Sequence, residues 1–262
     1  MMQALIDAHI HLDIYEEPDQ KRLLSELATS GVESVIAVSM HLESCRENEA
    51  LARQYPGVVR PAYGHHPEQP VPAEDDIRKL LAWMEERAGD MTAVGEIGLP
   101  YYSRLEALER GETFELEPYI RLLDSLLAFA ARHGKPVVLH AVYEDADLVC
   151  DLLEKHGISK AHFHWFKGAS HTVKRMADAG YYISFTPDLL YEKEINELAR
   201  VYPRHLVMAE TDGPWPFEGP FQGRITDPAM TRDVAAAYGA IHGLTAEEAE
   251  LLLYENTRRF YG

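Results

Sequence analysis

Cysteine is nearly absent from this chain, since only Cys45 and Cys150 occur among its 262 residues. Two cysteines so far apart provide neither a disulfide framework nor a zinc knuckle. Long hydrophobic runs are also missing, because no apolar stretch approaches the roughly 20 residues that a membrane span requires. The first ten residues, MMQALIDAHI, lack the basic region and the extended apolar stretch of a signal peptide. We therefore expect a reduced, cytoplasmic protein without a membrane anchor.

Positive charge is scarce as well. The chain has 25 basic and 43 acidic residues, which gives a formal net charge of −18. Such a charge repels polyanions at long range and argues against a nonspecific nucleic-acid coat protein. A nuclease stays possible, because two bound divalent cations would reverse the sign of the potential inside a pocket. The charge thus disfavours extended duplex binding and is compatible with binding of a strand end or a small substrate.

No linker, low-complexity tract or internal repeat divides the sequence. The length and the apolar content of 46% are sufficient for one sizeable core. We therefore expect a single domain over residues 1–262. The sequence contains no signal from which a protein partner could be inferred.

Short apolar runs alternate with amphipathic stretches along the chain. Strands are predicted near 4–9, 33–39, 58–64, 91–97, 136–140, 160–164, 181–185 and 205–210. Helices are predicted at 20–29, 76–87, 119–133, 145–155 and 192–201, and a last helix at 246–260. Eight such repeats predict an α/β fold, a (β/α)8 TIM barrel with an additional C-terminal helix. An open doubly wound sheet is the alternative, but no Gly-x-Gly-x-x-Gly follows the first strand to support it.

Asp7, His9 and His11 alternate along the end of the first strand. Side chains two residues apart on a strand share a face, so this spacing directs a carboxylate and two imidazoles to one side. Imidazole binds borderline divalent metals well, and a nearby carboxylate can fix the tautomer of its ring. The spacing therefore indicates half of a metal site.

Further predicted strands end in acidic or imidazole side chains. They are Glu96, His140, His164, Glu210 and Asp212. In a TIM barrel the C-terminal ends of all strands meet at one mouth, where active sites are assembled. The pattern therefore predicts one shared metal site. His162 is expected one layer deeper, as a hydrogen-bonded core histidine.

Six motifs together resemble the TatD-like branch of the metal-dependent hydrolases. The family comprises metal-requiring nucleases built on TIM barrels in the amidohydrolase-like superfamily. The motifs are DAHIHLD at 7–13, GHHP at 64–67, VGEIGL at 94–99, PVVLH at 136–140, HWFKG at 164–168 and ETDGP at 210–214. They occur in the family order and span nearly the whole chain. Each motif is weak alone, and their combination is specific.

The resemblance implies two divalent ions. His9, His11, Glu96 and Asp212 would hold the first ion, and Glu96, His140 and His164 would hold the second. Glu96 would bridge the two ions. The ligand types suit Zn2+, Mn2+, Co2+ or Ni2+, and also Mg2+ in a site with open water positions.

The resemblance also implies roles for residues beside the ions. His66 matches a family histidine that lies near the substrate phosphate rather than on a metal. Asp7 is expected to orient a ligand histidine. Glu210 either contacts the substrate or supports a ligand, and both roles are open. Asp212 is expected to accept a proton from the attacking water.

Two departures from the family concern the substrate. Pro100 follows Leu99 where an aspartate is usual, and Val142 stands where the family commonly has an arginine. An arginine there would recognise phosphate with two parallel hydrogen bonds. The glutamines usual in the preceding helix are also missing. The segment 100–118 is interpreted as a lid or substrate-contacting loop, or alternatively as a solvated connection.

The leading functional hypothesis is metal-dependent hydrolysis of phosphodiesters at nucleic-acid ends, as in a TatD-like deoxyribonuclease. The alternative keeps the metal pair and assigns a small phosphoester, lactone or amide as substrate. A noncatalytic barrel, whose metals are structural or whose site serves binding, is a third possibility. Structural zinc sites are usually closed and four-coordinate, and six ligands at an open barrel mouth disfavour it.

Overall fold

The computed structural model describes residues 3–262. Eight parallel strands form one sheet in sequential order. They are β1 (Leu5–Ile10), β2 (Val32–Ala37), β3 (Val59–Tyr63), β4 (Ala93–Gly98), β5 (Val137–His140), β6 (Ala161–Phe163), β7 (Tyr182–Phe185) and β8 (Val207–Ala209). The segment after β8 returns to β1, where the amide of Asp212 donates to the carbonyl of His9 and that of His11 donates to Gly213. These bonds bring the first and last strands together in a barrel.

Ten α-helices lie in the described part of the chain. They are α1 (Glu17–Ser30), α2 (Leu42–Gln54), α3 (Glu74–Glu85), α4 (Tyr101–Glu109), α5 (Glu117–His133), α6 (Asp145–His156), α7 (Ser170–Asp178), α8 (Lys193–Val201), α9 (Thr231–His242) and α10 (Ala246–Tyr261). Within residues 3–262 no helix has the length and apolar character needed to span a membrane.

The predicted fold class is confirmed. Every predicted strand is present, with ends that shift by a few residues, and the additional C-terminal helix is α10. The sequential strand order excludes the open doubly wound sheet, because that fold requires a reversal of strand order. Helix ends also follow the sequence signals. Gly134, for example, ends α5 in the left-handed conformation with φ of 60°.

The segment 100–118, interpreted as a lid or substrate-contacting loop or as a solvated connection, is not a loop throughout, because its first half forms α4. Pro100 supplies no side-chain hydrogen bond to the start of α4. Glu68, from the connection after β3, accepts the backbone N–H groups of Tyr102 and Ser103 instead. A helix start that is capped by a residue 34 positions away carries no local sequence signal.

The strands are buried along almost their whole length, so the barrel interior is packed rather than hollow. His162 lies in this core as expected. Its Nδ1 is 2.7 Å from the hydroxyl of Tyr261, and its Nε2 bonds the hydroxyl of Ser184. The contact with Tyr261 joins the end of α10 to the barrel interior. Both ring nitrogens of this histidine are therefore used within the core, which leaves none for a metal.

Candidate metal centre

The six predicted ligands come together at the C-terminal mouth of the barrel. They are His9 in β1, His11 just after β1, Glu96 in β4, His140 at the end of β5, His164 just after β6 and Asp212 shortly after β8. Counted over the whole residue, each is at most 9% exposed. Charged groups are rarely buried to this extent unless they are paired or coordinate a metal.

Four ligand atoms form the first cluster. His9 Nε2 lies 3.0 Å from Glu96 Oε2, 3.2 Å from Asp212 Oδ1 and 3.4 Å from His11 Nε2. His11 Nε2 lies 3.2 Å from Glu96 Oε2 and 3.5 Å from Asp212 Oδ1. Donor atoms held at about 2.1 Å around one tetrahedral ion are separated by roughly 3.4 Å. The spacing therefore fits a single divalent cation.

The other carboxylate oxygen of Glu96 belongs to a second cluster. Glu96 Oε1 lies 2.8 Å from His164 Nε2 and 3.1 Å from His140 Nδ1. These two nitrogens are 3.2 Å apart. His66 Nε2 is also close, at 3.3 Å from Glu96 Oε1, so His66, Glu96 and His140 form a further possible ligand group. His66 is therefore close enough to Glu96 to be a ligand itself, whereas the resemblance implied only a contact with the substrate phosphate.

Unpartnered buried atoms support a cation at this centre. Among the described residues, Glu96 Oε2 and Asp212 Oδ1 have no partner with hydrogen-bond geometry, although imidazole nitrogens lie within 3.5 Å of both. A buried carboxylate oxygen without a donor is costly, and a bound metal ion removes that cost. The residues present therefore fit the group that the ligand types imply.

The two carboxylates also control the charge on the surrounding rings. Burial alone would lower the pKa of His11, but the negative charges of the nearby Asp212 and Glu96 carboxylates raise it to about 9. Burial dominates at His164 and lowers its pKa to about 4. Its neutral ring is already in the protonation state that metal binding requires. At His11 a cation would have to displace a proton, so ion binding there is expected to release one.

Asp7 lies behind the first cluster. Its Oδ1 accepts the backbone N–H groups of His9 at 3.2 Å and Thr211 at 3.0 Å, and Oδ2 accepts the Thr211 hydroxyl. The Nδ1 atoms of His9 and His11 have no hydrogen-bond partner within residues 3–262. Asp7 therefore holds the backbone of two ligand-bearing strand ends together, and does not bond an imidazole ring.

Glu210 is fully buried next to His164. Its Oε1 accepts the backbone N–H of Trp165 at 2.8 Å and lies 3.8 Å from His164 Nδ1. Burial raises the pKa of its carboxyl well above the usual range. This placement favours support of a ligand-bearing loop over contact with substrate.

Among residues 3–262, three non-glycine residues have a left-handed backbone, and all three follow strand ends at the mouth. They are Tyr143 with φ of 51°, Trp165 with φ of 40° and Asp212 with φ of 51°. Such conformations are uncommon outside glycine and asparagine and concentrate at functional sites. Here they occur shortly after β5 and β6 and at the candidate ligand Asp212.

Sequence reasoning missed Glu68, whose carboxylate touches the ligand set. Glu68 Oε1 lies 3.2 Å from His140 Nε2. The sequence signal that could have pointed to Glu68 is its position directly after the GHHP segment, two residues after His66. Burial would raise the pKa of Glu68, but hydrogen bonds from His140 and Ser103 lower it to about 2.

The part of the mouth that surrounds the candidate ligands has basic side chains that are already in contact with other groups. Val142 is buried after β5. Arg104 of α4 reaches the same region, and its guanidinium is paired with Asp145 at 2.6 Å. Lys167 lies over the ring of Trp165, with 4.6 Å between its Nζ and the ring centroid. Trp165 in turn meets the exposed ring of Trp215 edge to face at 5.6 Å.

A parallel barrel with imidazoles and carboxylates gathered at its mouth defines a class of protein, the metal-dependent hydrolases. The model of the family described as TatD related DNase matches residues 6–262, and the chain belongs to this family. The family predicted from the motifs is therefore confirmed, and the protein is a metal-dependent hydrolase.

Several relatives match over nearly their whole length. An uncharacterized metal-dependent hydrolase of Haemophilus influenzae is 32% identical over 257 residues, which cover 98% of this chain and 99% of that protein. The human protein named deoxyribonuclease TATDN3 is 25% identical, with 98% and 94% covered. The crystal structure of YjjV, a TatD homologue from Escherichia coli K12, matches with a TM-score of 0.85 and 26% identity and covers 100% and 99% of the two chains.

Proposed function

We propose that this hydrolase cleaves phosphodiester bonds at nucleic-acid ends, with water activated between two divalent ions. The proposal rests on the Glu96 carboxylate, whose two oxygens face different clusters. Its Oε2 lies within 3.2 Å of His9 and His11 nitrogens, and its Oε1 lies within 3.1 Å of those of His140 and His164. One buried side chain thus serves two sets of ligand atoms. When bound, the ions would supply an activated water and neutralise charge on the phosphoryl oxygens.

Asp212 is the proposed proton acceptor. Of the two carboxylates in the centre, its side chain is 10% exposed, whereas that of Glu96 is fully buried. A general base must reach the water from which it removes the proton. His66, whose Nε2 lies 3.3 Å from Glu96 Oε1 beside the second cluster, is proposed to contact the phosphate or to complete the second ligand set. Asp7 and Glu210 hold the ligand-bearing loops.

One feature of the mouth favours a second candidate, a small phosphoester. The position that would provide an arginine for phosphate is Val142, and Arg104 nearby is already paired with Asp145. A long polyanion would bind weakly at such a mouth, because the protein's formal net charge of −18 repels it at long range. The relative named a deoxyribonuclease supports the nucleic-acid candidate. We therefore place nucleic-acid ends first, and expect contact with few phosphates.

A paired assay separates the two candidates. Elemental analysis of the purified protein is followed by hydrolysis of bis(p-nitrophenyl) phosphate and of 3′-labelled single-stranded DNA with Mg2+, Mn2+ or Zn2+. Metal-dependent shortening of the DNA from its end supports the proposal. Turnover of the small diester without DNA cleavage shifts the substrate to the second candidate. No turnover of either substrate with metals bound contradicts both.

Trp215 offers a test of strand binding. Its side chain is 55% exposed beside the ligand Asp212, and an exposed ring can stack on a nucleobase. Stacking contributes about 1–3 kcal/mol per base, so Trp215→Ala is expected to raise the KM for single-stranded DNA roughly tenfold. Trp215→Phe retains a ring, so its KM for single-stranded DNA should rise much less. Leu251→Ala, an exposed change on α10, is the control, and an unchanged KM in Trp215→Ala would show that the ring only packs at the rim.

A further inference from the structure

Glu68 bonds two structures that are far apart in sequence. It lies in the connection between β3 and α3, with a side chain 17% exposed. Its Oε1 accepts the N–H of Tyr102 at 2.9 Å, and its Oε2 accepts the N–H of Ser103 at 2.8 Å. The same Oε1 lies 3.2 Å from His140 Nε2. One carboxylate therefore contacts both the start of α4 and a residue of the metal centre.

The contact with His140 determines which ring nitrogen faces the centre. His140 Nδ1 lies 3.1 Å from Glu96 Oε1 and 3.2 Å from His164 Nε2, and the opposite nitrogen faces Glu68. A nitrogen that binds a metal must present its lone pair, so the ring proton must reside on Nε2. A carboxylate that accepts that proton in a hydrogen bond fixes this tautomer and the ring orientation.

The contact with α4 has a separate role. The first N–H groups of a helix have no acceptor within the helix, and Tyr102 and Ser103 are the second and third residues of α4. Glu68 accepts both groups and places its negative charge at the positive end of the helix dipole. The ring of Tyr102 then lies with its centroid 5.9 Å from that of His140. Helix α4 is thereby held over the second cluster.

We propose that Glu68 is a positioning residue that orients His140 to bind the second ion and couples this ligand to the docking of α4. The inference rests on the proposed two-ion function. It adds that the second site depends on a residue outside the ligand set, supplied by the β3–α3 connection. The first site, built by His9, His11 and Asp212, has no contact with Glu68 among those found in residues 3–262.

The test is calorimetric titration of the metal-free, full-length protein with Mn2+. The wild type is expected to bind two ions. Glu68→Ala should weaken the binding of one ion about 10- to 100-fold and leave the other unchanged. His140→Ala should weaken the same ion. Glu68→Gln is the conservative variant, because its amide oxygen can still accept the His140 proton, although its NH2 group then faces the N–H of Ser103. Its affinity for this ion should therefore lie between those of the wild type and Glu68→Ala.

Thr245→Ala is the matched control for a lost helix cap. Thr245 caps α10, remote from the mouth, through the N–H of Glu248. Its loss should lower the melting temperature without changing either Mn2+ affinity. Wild-type affinities in Glu68→Ala would show that Glu68 is only a cap of α4, which overturns the inference and leaves the proposed function intact. A single ion in the wild type contradicts the proposed function itself, and the inference with it.

Discussion

The variant Glu96→Gln is expected to lose nearly all activity, with kcat/KM reduced about 10³-fold or more, which corresponds to roughly 4 kcal/mol of transition-state stabilisation. The carboxamide replaces one oxygen by an NH2 group. Whichever way it turns, this donor faces either the His9 and His11 nitrogens or those of His140 and His164. One ion then loses a negatively charged ligand. The measurement is hydrolysis of bis(p-nitrophenyl) phosphate, together with metal content.

The control for this prediction is Glu197→Gln on α8, which makes the same chemical change at a side chain that is 66% exposed. It should retain wild-type activity and metal content. Activity in Glu96→Gln within tenfold of the wild type would contradict a bridging role for this carboxylate. Two bound ions with wild-type affinity in the same variant would also contradict this bridging role.

The fold could be predicted from the sequence because strand and helix signals are local. Alternating apolar runs and amphipathic stretches recur eight times, and only a barrel closes eight parallel strands in sequential order. Helix α4 was not predictable in the same way. Its sequence, YYSRLEALE, is compatible with a helix, but its start is stabilised by Glu68, which lies in another connection.

The convergence of the six candidate ligands could be predicted for a related reason. Residues at the C-terminal ends of barrel strands must converge, so a list of acidic and imidazole strand ends is also a list of neighbours. What strand position could not give is the depth of each side chain. Glu210, like Asp212, follows the last strand, yet it is fully buried and lies 3.8 Å from the Nδ1 atom of His164. Asp7 similarly bonds backbone amides and not the rings that its spacing suggested.

The substrate side was the least predictable part, because it is built by connections of unrelated sequence. Arg104 and Asp145 come from α4 and α6 and pair across the mouth at 2.6 Å. Lys167, Trp165 and Trp215 form a cation–aromatic group that joins the connections after β6 and β8. Such contacts depend on how the loops fold over one another, and no periodic pattern encodes them.

The second large effect is expected for stability, from Gly98→Ala at the end of β4. Gly98 has φ of 156° and pairs in register with His140 of β5. A Cβ at this position would overlap the carbonyl oxygen of His140 and lie 2.7 Å from its carbonyl carbon. Both partners are backbone atoms, so no side-chain rotation relieves the clash. Overpacking and the unfavourable φ together should destabilise the fold by about 3–5 kcal/mol.

Urea unfolding followed by circular dichroism measures this change, with Gly89→Ala as the matched control. Gly89 lies in the connection between α3 and β4, and no atom lies within 4 Å of a Cβ placed there. Its substitution should change the free energy of unfolding by less than about 0.5 kcal/mol. Because the clash in Gly98→Ala displaces the backbone of His140, Mn2+ affinity at the second cluster should fall together with stability. Equal stability of the two variants would show that β4 and β5 can separate without harm, and that the close approach of these strands is not what holds His140 at the mouth.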